Sequence, residues 1–158
     1  MSPLINIKSL ILFFFKLFKR KNNCRYFYYG FNKEILDKLC DDFLSNYNHL
    51  KFNKEVHDRI IEADVTFMVS SCSEPLVSRF VKAKFEKNIV IVLSSRLIIE
   101  NGRYNGKLRY KVFRESKKSL LEAIFKKYNL DYADVRAYGN SPEDLPMLEI
   151  FPHSQIIL

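Results

Sequence analysis

Cysteine is scarce here, and its spacing removes two classes of function. Cys24, Cys40 and Cys72 are odd in number and form no CxxC pair. Neither a disulfide framework nor a zinc site is expected, and the expected compartment is reducing and cytoplasmic. His49, His57 and His153 lie far apart and read as surface or core residues, not as metal ligands. Long apolar runs are missing as well. The N-terminal LILFFFKLFKR holds an uninterrupted stretch only at residues 9–15, far short of the ~20 residues a spanning helix needs. No basic segment of weight precedes that stretch and no small-residue cleavage site follows it, so a secretory leader is not expected. There is no internal repeat, no low-complexity segment and no recognised nucleic-acid-binding module, which leaves net charge alone to argue for nucleic acid.

What is present fits one domain with a real core: 158 residues, 47% of them apolar. The formal charge is +8, spread along the chain apart from Lys16, Lys19, Arg20 and Lys21 behind the apolar run. Such a balance suits phosphorylated substrates, anionic lipid headgroups or nucleic acid without choosing among them. Residues 8–21 read equally well as an interfacial helix in peripheral contact with a membrane and as a helix buried against the fold.

Apolar side chains at Ile35, Leu36, Leu39, Cys40, Phe43, Leu44 and Tyr47 follow the three-and-four spacing of a helix face, predicting a helix over residues 33–47. A shorter helix is expected at 54–63, then a buried-type strand at 65–69, a helix opening at Pro75 and a second buried-type strand at 88–93. Turn residues at 101–106 suggest a hairpin between 97–99 and 108–113. A helix at 116–128, a strand at 135–138 and the loop GNSPED complete the pattern. Helices alternating with strands predict an α/β chain with a mostly parallel sheet from residue 54 onward, and residues 1–53 read as an appended helical cap-like segment.

In an open α/β sheet ligands bind beyond the carboxyl ends of the strands, and two polar segments stand there. The first holds Ser70, Ser71, Cys72 and Ser73, hydroxyls ahead of a helix that suit either phosphate or simple capping. The second runs from Gly139 to Asp144. Ser141 suits an N-cap with Pro142 at the first helical position, while Asn140 and Asp144 offer two hard oxygen donors of the kind Mg²⁺ accepts.

Taken in order, VTFMVSSCSEPL, ENGRYNGKL, RESKKSLL and AYGNSPEDLPML resemble the haloacid dehalogenase superfamily, in its branch containing phosphoserine phosphatase and phosphatidylglycerophosphatase-like enzymes. The resemblance runs from about residue 27 to the C-terminus. It implies a three-layer Rossmann-like core and a Mg²⁺-dependent phosphomonoester hydrolase acting through an aspartyl-phosphate. By the same resemblance Ser70 and Ser71 bind phosphate, Lys117 (with Lys118 as its neighbouring competitor) holds the phosphoryl group, and Asn140 and Asp144 hold the metal. The implied substrate is a small phosphorylated molecule, with the apolar N-terminus leaning toward a lipid-linked one.

Two departures stand out. The fourth motif of most of the family reads GD, so Asn140 puts a neutral amide where a metal-binding carboxylate would stand. The larger one is that no two aspartates among Asp37, Asp41, Asp42, Asp58, Asp64, Asp131, Asp134 and Asp144 are separated by one residue. The family's DxDx[T/V] motif, which carries nucleophile and general acid, is therefore absent, and LILFFFKLFKR has Phe and Lys where carboxylates would be needed. The expectation is a core lacking its first strand, inactive alone and marginally stable, or a non-catalytic relative that binds a phosphorylated ligand or a protein.

Overall fold

A computed structural model describes residues 28–46 and 53–157. Helix α1 spans Lys33–Asn46 and α2 spans Lys54–Glu62. Strand β1 (Thr66–Ser73), helix α3 (Glu74–Lys84) and strand β2 (Val90–Glu100) form a parallel crossover unit, and β3 (Arg103–Tyr110) returns antiparallel to β2. Helix α4 (Glu115–Tyr128) leads to β4 (Arg136–Gly139), a 3₁₀ turn at Pro142–Asp144, helix α5 (Leu145–Leu148) and strand β5 (His153–Ile156). The mixed α/β architecture is the one expected. Cys40 and Cys72 are free thiols, whereas Cys24, His49 and the 8–21 segment lie outside the described residues. No helix among the described residues is long and apolar enough to cross a membrane.

Several boundaries differ from the sequence reading, each for a local reason. β1 does not stop at Val69 but runs through the serines to Ser73, because β2 offers a ladder beside it: Thr66 pairs with Val90 and Ser70 with Ser94, before an irregularity between Ser70 and Ser73. Ser70 and Ser71 are thus strand residues, not loop residues. β2 likewise passes beyond Leu93 to Glu100. The hairpin turn is only Asn101 and Gly102, at φ 49° and 75°, the left-handed pair that a tight two-residue connection demands. Gly106, at φ 74°, lets β3 bulge where Leu97 pairs with Leu108 but Ile99 already pairs with Tyr104.

Strand β5 was not expected, since HSQI is short and mostly exposed. It forms because β4 has an edge for it: Arg136 pairs with His153 and Gly139 with Ile156, in parallel.

Two clusters hold the molecule together. One joins Leu121 and Phe125 of α4, Ala137 of β4, Met147 and Leu148 of α5 and Phe151, with Phe67 and Val69 of β1 packed against them. The other joins Tyr28, Leu36 and Cys40 to Leu97 and Tyr104 of the hairpin, so α1 lies on the β2–β3 layer. Each fully buried Leu or Phe stabilises by about 1.5–3 kcal/mol relative to exposure. Although β1 and β4 share the first cluster, they do not pair with each other: the described strands form a β1-β2-β3 sheet and a separate β4-β5 sheet.

Candidate functional site

The loop after β4 is built around a close approach. A Cβ on Gly139 would stand 2.7 Å from Asp144 Cβ and 3.0 Å from Leu148 Cδ1. Glycine there lets the 3₁₀ turn fold Asp144 back over the strand's end. The turn closes through the Asp144 N–H, which donates to the Ser141 carbonyl at 3.0 Å.

Asp144 is buried, and both its oxygens are engaged. Oδ1 accepts from Lys117 Nζ at 2.5 Å. Oδ2 accepts from the Asn140 N–H at 3.1 Å and from Ser141 Oγ at 3.2 Å. Ser141 is therefore not the side-chain cap its position suggested; its hydroxyl donates to the carboxylate. Burial alone pushes the Asp144 carboxyl up, but the Lys117, Asn140 and Ser141 hydrogen bonds and the charge of Lys117 together hold it below the usual range.

Lys117 comes from the first turn of α4 and is buried. A cation gains nothing at a helix N-terminus, so its place is explained by Asp144, not by the helix. Ser116 steadies that turn: its Oγ accepts from the Phe113 N–H at 2.6 Å. On the surface, Arg114 meets Glu143 at 3.4 Å, tying the helix start to the loop a second time. Lys118, its competitor in sequence, is half-buried and makes no ion pair among the described residues.

Lys117, Asn140 and Asp144 are thus brought together, Asn140 through its backbone and with an exposed side chain. Ser70 and Ser71 stand at the end of β1 in the other sheet. Ser70 Oγ accepts from the Cys72 N–H at 3.1 Å, and among the described residues no hydrogen bond joins either serine to the Lys117–Asp144 pair. Beside Ser70 in register lies Ser94, 1% exposed, whose Oγ has no partner among the described residues. The sequence reading passed over Ser94, yet there was a signal: IVIVLSS ends an apolar strand on paired hydroxyls, as VTFMVSS does.

As a metal site the described residues are half a donor set. The Asp144 carboxylate is held in the loop, Asn140 reaches it through its backbone N–H with its carboxamide exposed, and no group of three or more His, Cys, Asp or Glu side chains converges among the described residues. That composition fits a Mg²⁺ ion keeping most of its ligands as water and phosphoryl oxygen, and does not fit a closed metal cage. Burial, ahead of the opposing effect of Arg79, pushes the Cys40 thiol up to about 11, which disfavours the thiolate.

The haloacid dehalogenase-like hydrolase family model matches residues 7–149. A probable phosphatase of Mycobacterium tuberculosis is 26% identical over 90 residues, which cover 57% of this chain and 30% of that protein. The chain thus spans under a third of the curated relatives it matches. Among solved structures, a protein of unknown function from Bordetella pertussis Tohama I superposes with a TM-score of 0.68 at 15% identity, covering 93% of this chain and 70% of that one. A substrate-bound phosphoserine phosphatase does so with a TM-score of 0.60 at 16% identity, covering 95% and 71%. These likenesses carry the fold, a Rossmann-like core shared with phosphoserine phosphatases. With the family model spanning all but the ends of the sequence, the chain belongs to the haloacid dehalogenase-like hydrolase family.

Proposed function

We propose that this chain carries the phosphate- and metal-facing half of a Mg²⁺-dependent phosphomonoesterase site and does not turn over substrate by itself. The observation that carries the reading is the buried Lys117–Asp144 pair, held at both carboxylate oxygens. Such a pair is costly to bury and is seldom a source of stability, which makes a ligand-facing role the better account.

Lys117 supplies a positioned ammonium for a phosphoryl oxygen, and Asp144 sets its orientation. Asn140 and Ser141 fix the carboxylate, so the ammonium cannot swing away. Ser70 and Ser71 add hydroxyls, and the exposed Asn140 side chain with Asp144 supplies oxygen donors for Mg²⁺. When bound, that ion would shield phosphoryl charge. No two aspartates of this sequence are separated by one residue, which supports the reading that the nucleophile and its acid partner are not among its carboxylates. The substrate class is a small phosphorylated molecule.

The test is thermal: the melting temperature of the full chain with Mg²⁺ and orthovanadate, against either alone. At a hundredfold excess over the dissociation constant, binding stabilises by about 2.7 kcal/mol. The rise should vanish in Lys117→Met. Equal shifts in both proteins, or none in either, would remove the site assignment.

One specific observation favours a second reading, a non-catalytic relative that binds a phosphorylated ligand or a protein: the missing DxDx[T/V] pair. Contact with an anionic membrane through residues 8–21 belongs to this reading, and sedimentation with anionic vesicles tests it.

A further inference from the structure

Two ion pairs join the start of α4 to the loop after β4, and they differ in depth. Lys117 meets Asp144 with both side chains 8% exposed, whereas Arg114 meets Glu143 at 3.4 Å with side chains 51% and 38% exposed. Arg114 and Lys117 are one helical turn apart, about 5–6 Å between Cβ atoms, and Glu143 is adjacent to Asp144. The exposed pair therefore stands on the solvent side of the buried one. Arg114 also shares an aromatic ring with a second cation: its Cζ lies 5.1 Å from the Phe113 centroid, and Lys111 Nζ lies 4.8 Å from the same centroid. Lys111 meets no carboxylate among the described residues.

The backbone holds these two cations in place. Val112, 1% exposed, donates its N–H to Ser95 Oγ at 3.0 Å, and the Phe113 N–H donates to Ser116 Oγ. Arg114 has φ 44° and ψ −119°, backbone that glycine enters freely and an arginine only under strain. The Glu143 pair does not offset that strain, because exposed ion pairs contribute little. Nor does the helix, whose N-terminus disfavours a cation. What remains to account for Arg114 is its guanidinium, which keeps donors that the single contact with Glu143 does not use. Two like charges gathered on one ring are stabilised together by an anion that both can reach.

We propose that Lys111 and Arg114 form a second anion subsite outside the Lys117–Asp144 pair, and that the substrate is a phosphomonoester carrying a further anionic group, a phosphate or a carboxylate, on its solvent-facing part. The inference rests on the phosphomonoesterase reading above. Lys117 takes the phosphoryl group, and the outer cations take the second anion about one helical turn away. Phe113 keeps the two cations on one spot, so they select by position as well as by charge.

The experiment is calorimetric titration of the full chain, with Mg²⁺ in excess and at low ionic strength, using propyl phosphate, propane-1,3-diyl bisphosphate and the phosphate ester of 3-hydroxypropanoate. The readout is the ratio of dissociation constants between propyl phosphate and each doubly anionic ligand. At least one of the two should bind about tenfold tighter than propyl phosphate, and whichever gains names the second group. In Lys111→Gln/Arg114→Gln the gain should fall to no more than the statistical advantage of a ligand with two equivalent ends. In Lys126→Gln/Lys127→Gln, which removes the same charge from the exposed far end of α4, it should persist. Lys111→Gln alone leaves the strained residue and the loop untouched, decides the matter should the double variant not fold, and should lower the ratio by about threefold. Propyl phosphate bound with no gain from either second group overturns the subsite and leaves the phosphomonoesterase reading standing. Binding of none of the three removes that reading, and the subsite with it. A first double variant that weakens all three ligands in proportion shows that the cations only hold the loop, and an equal fall in the Lys126/Lys127 variant shows that the gain is diffuse charge; either overturns the proposal.

Discussion

Asp144 is the residue on which most of the site depends, and its charge state can be read through stability. Its folded pKa is depressed, so its contribution is complete above the ordinary carboxylate value of about 3.9 and is lost as pH falls through the lower folded value. Asp144→Asn keeps the shape but leaves Lys117 buried without a counter-charge, and breaking a buried pair in this way costs about 3–5 kcal/mol. Urea unfolding at pH 7 should show that loss. The gap between the two proteins should narrow below about pH 4, as the native carboxyl takes up its proton. The double variant Lys117→Met/Asp144→Leu should recover most of the stability while losing vanadate binding, which separates a structural pair from a functional one. Gly139→Ala makes a steric statement of the same site: with a Cβ 2.7 Å from Asp144 Cβ, the substitution should cost about 1–3 kcal/mol by overpacking and weaken vanadate binding by displacing the carboxylate.

At the scale of elements, sequence pattern located the helices well and the strand ends poorly. α1, α2 and α4 each fall within one or two residues of the periodic pattern, because a helix satisfies its own backbone and needs only one apolar face. Strands depend on partners that lie elsewhere in the chain. Ser70 to Ser73 read as loop, yet the β2 ladder keeps them extended; HSQI read as nothing, yet the edge of β4 makes a strand of it. The turn at Asn101 and Gly102 was legible as turn chemistry, though not that two residues suffice. Gly102 sits at φ 75° with open space around its missing Cβ. Gly102→Ala should therefore cost about 1 kcal/mol from backbone strain alone, measured as a lower denaturation midpoint with an unchanged slope. The site was legible in part for the same reason. Lys117, Asn140 and Asp144 lie on two segments whose local pattern is strong, while Ser94 matters only through its register with Ser70. That Ser141 donates to Asp144 and does not cap the following turn is a contact between side chains, and no spacing rule contains it.

For the whole molecule, the question is whether two sheets that share no hydrogen bonds among the described residues behave as one cooperative unit. The packing argues that they do. Phe125 of α4 is 2% exposed and meets Phe67 of the first sheet, Tyr132 at 4.7 Å and Phe151 at 5.4 Å between ring centroids. One side chain thus belongs to the core of both sheets. Leu36 of α1, by contrast, packs with Tyr28, Cys40, Leu97 and Tyr104 in the second cluster, which lies on the hairpin side of β2. Phe125→Ala should cost about 3–5 kcal/mol, the transfer loss plus an unfilled cavity, and should speed amide exchange in β1, β2, β4 and β5 alike. Leu36→Ala should cost about 2–5 kcal/mol and speed exchange chiefly in α1 and the β2–β3 hairpin. If Phe125→Ala instead spared β1 and β2, the two sheets would be separate folding units joined only by the chain.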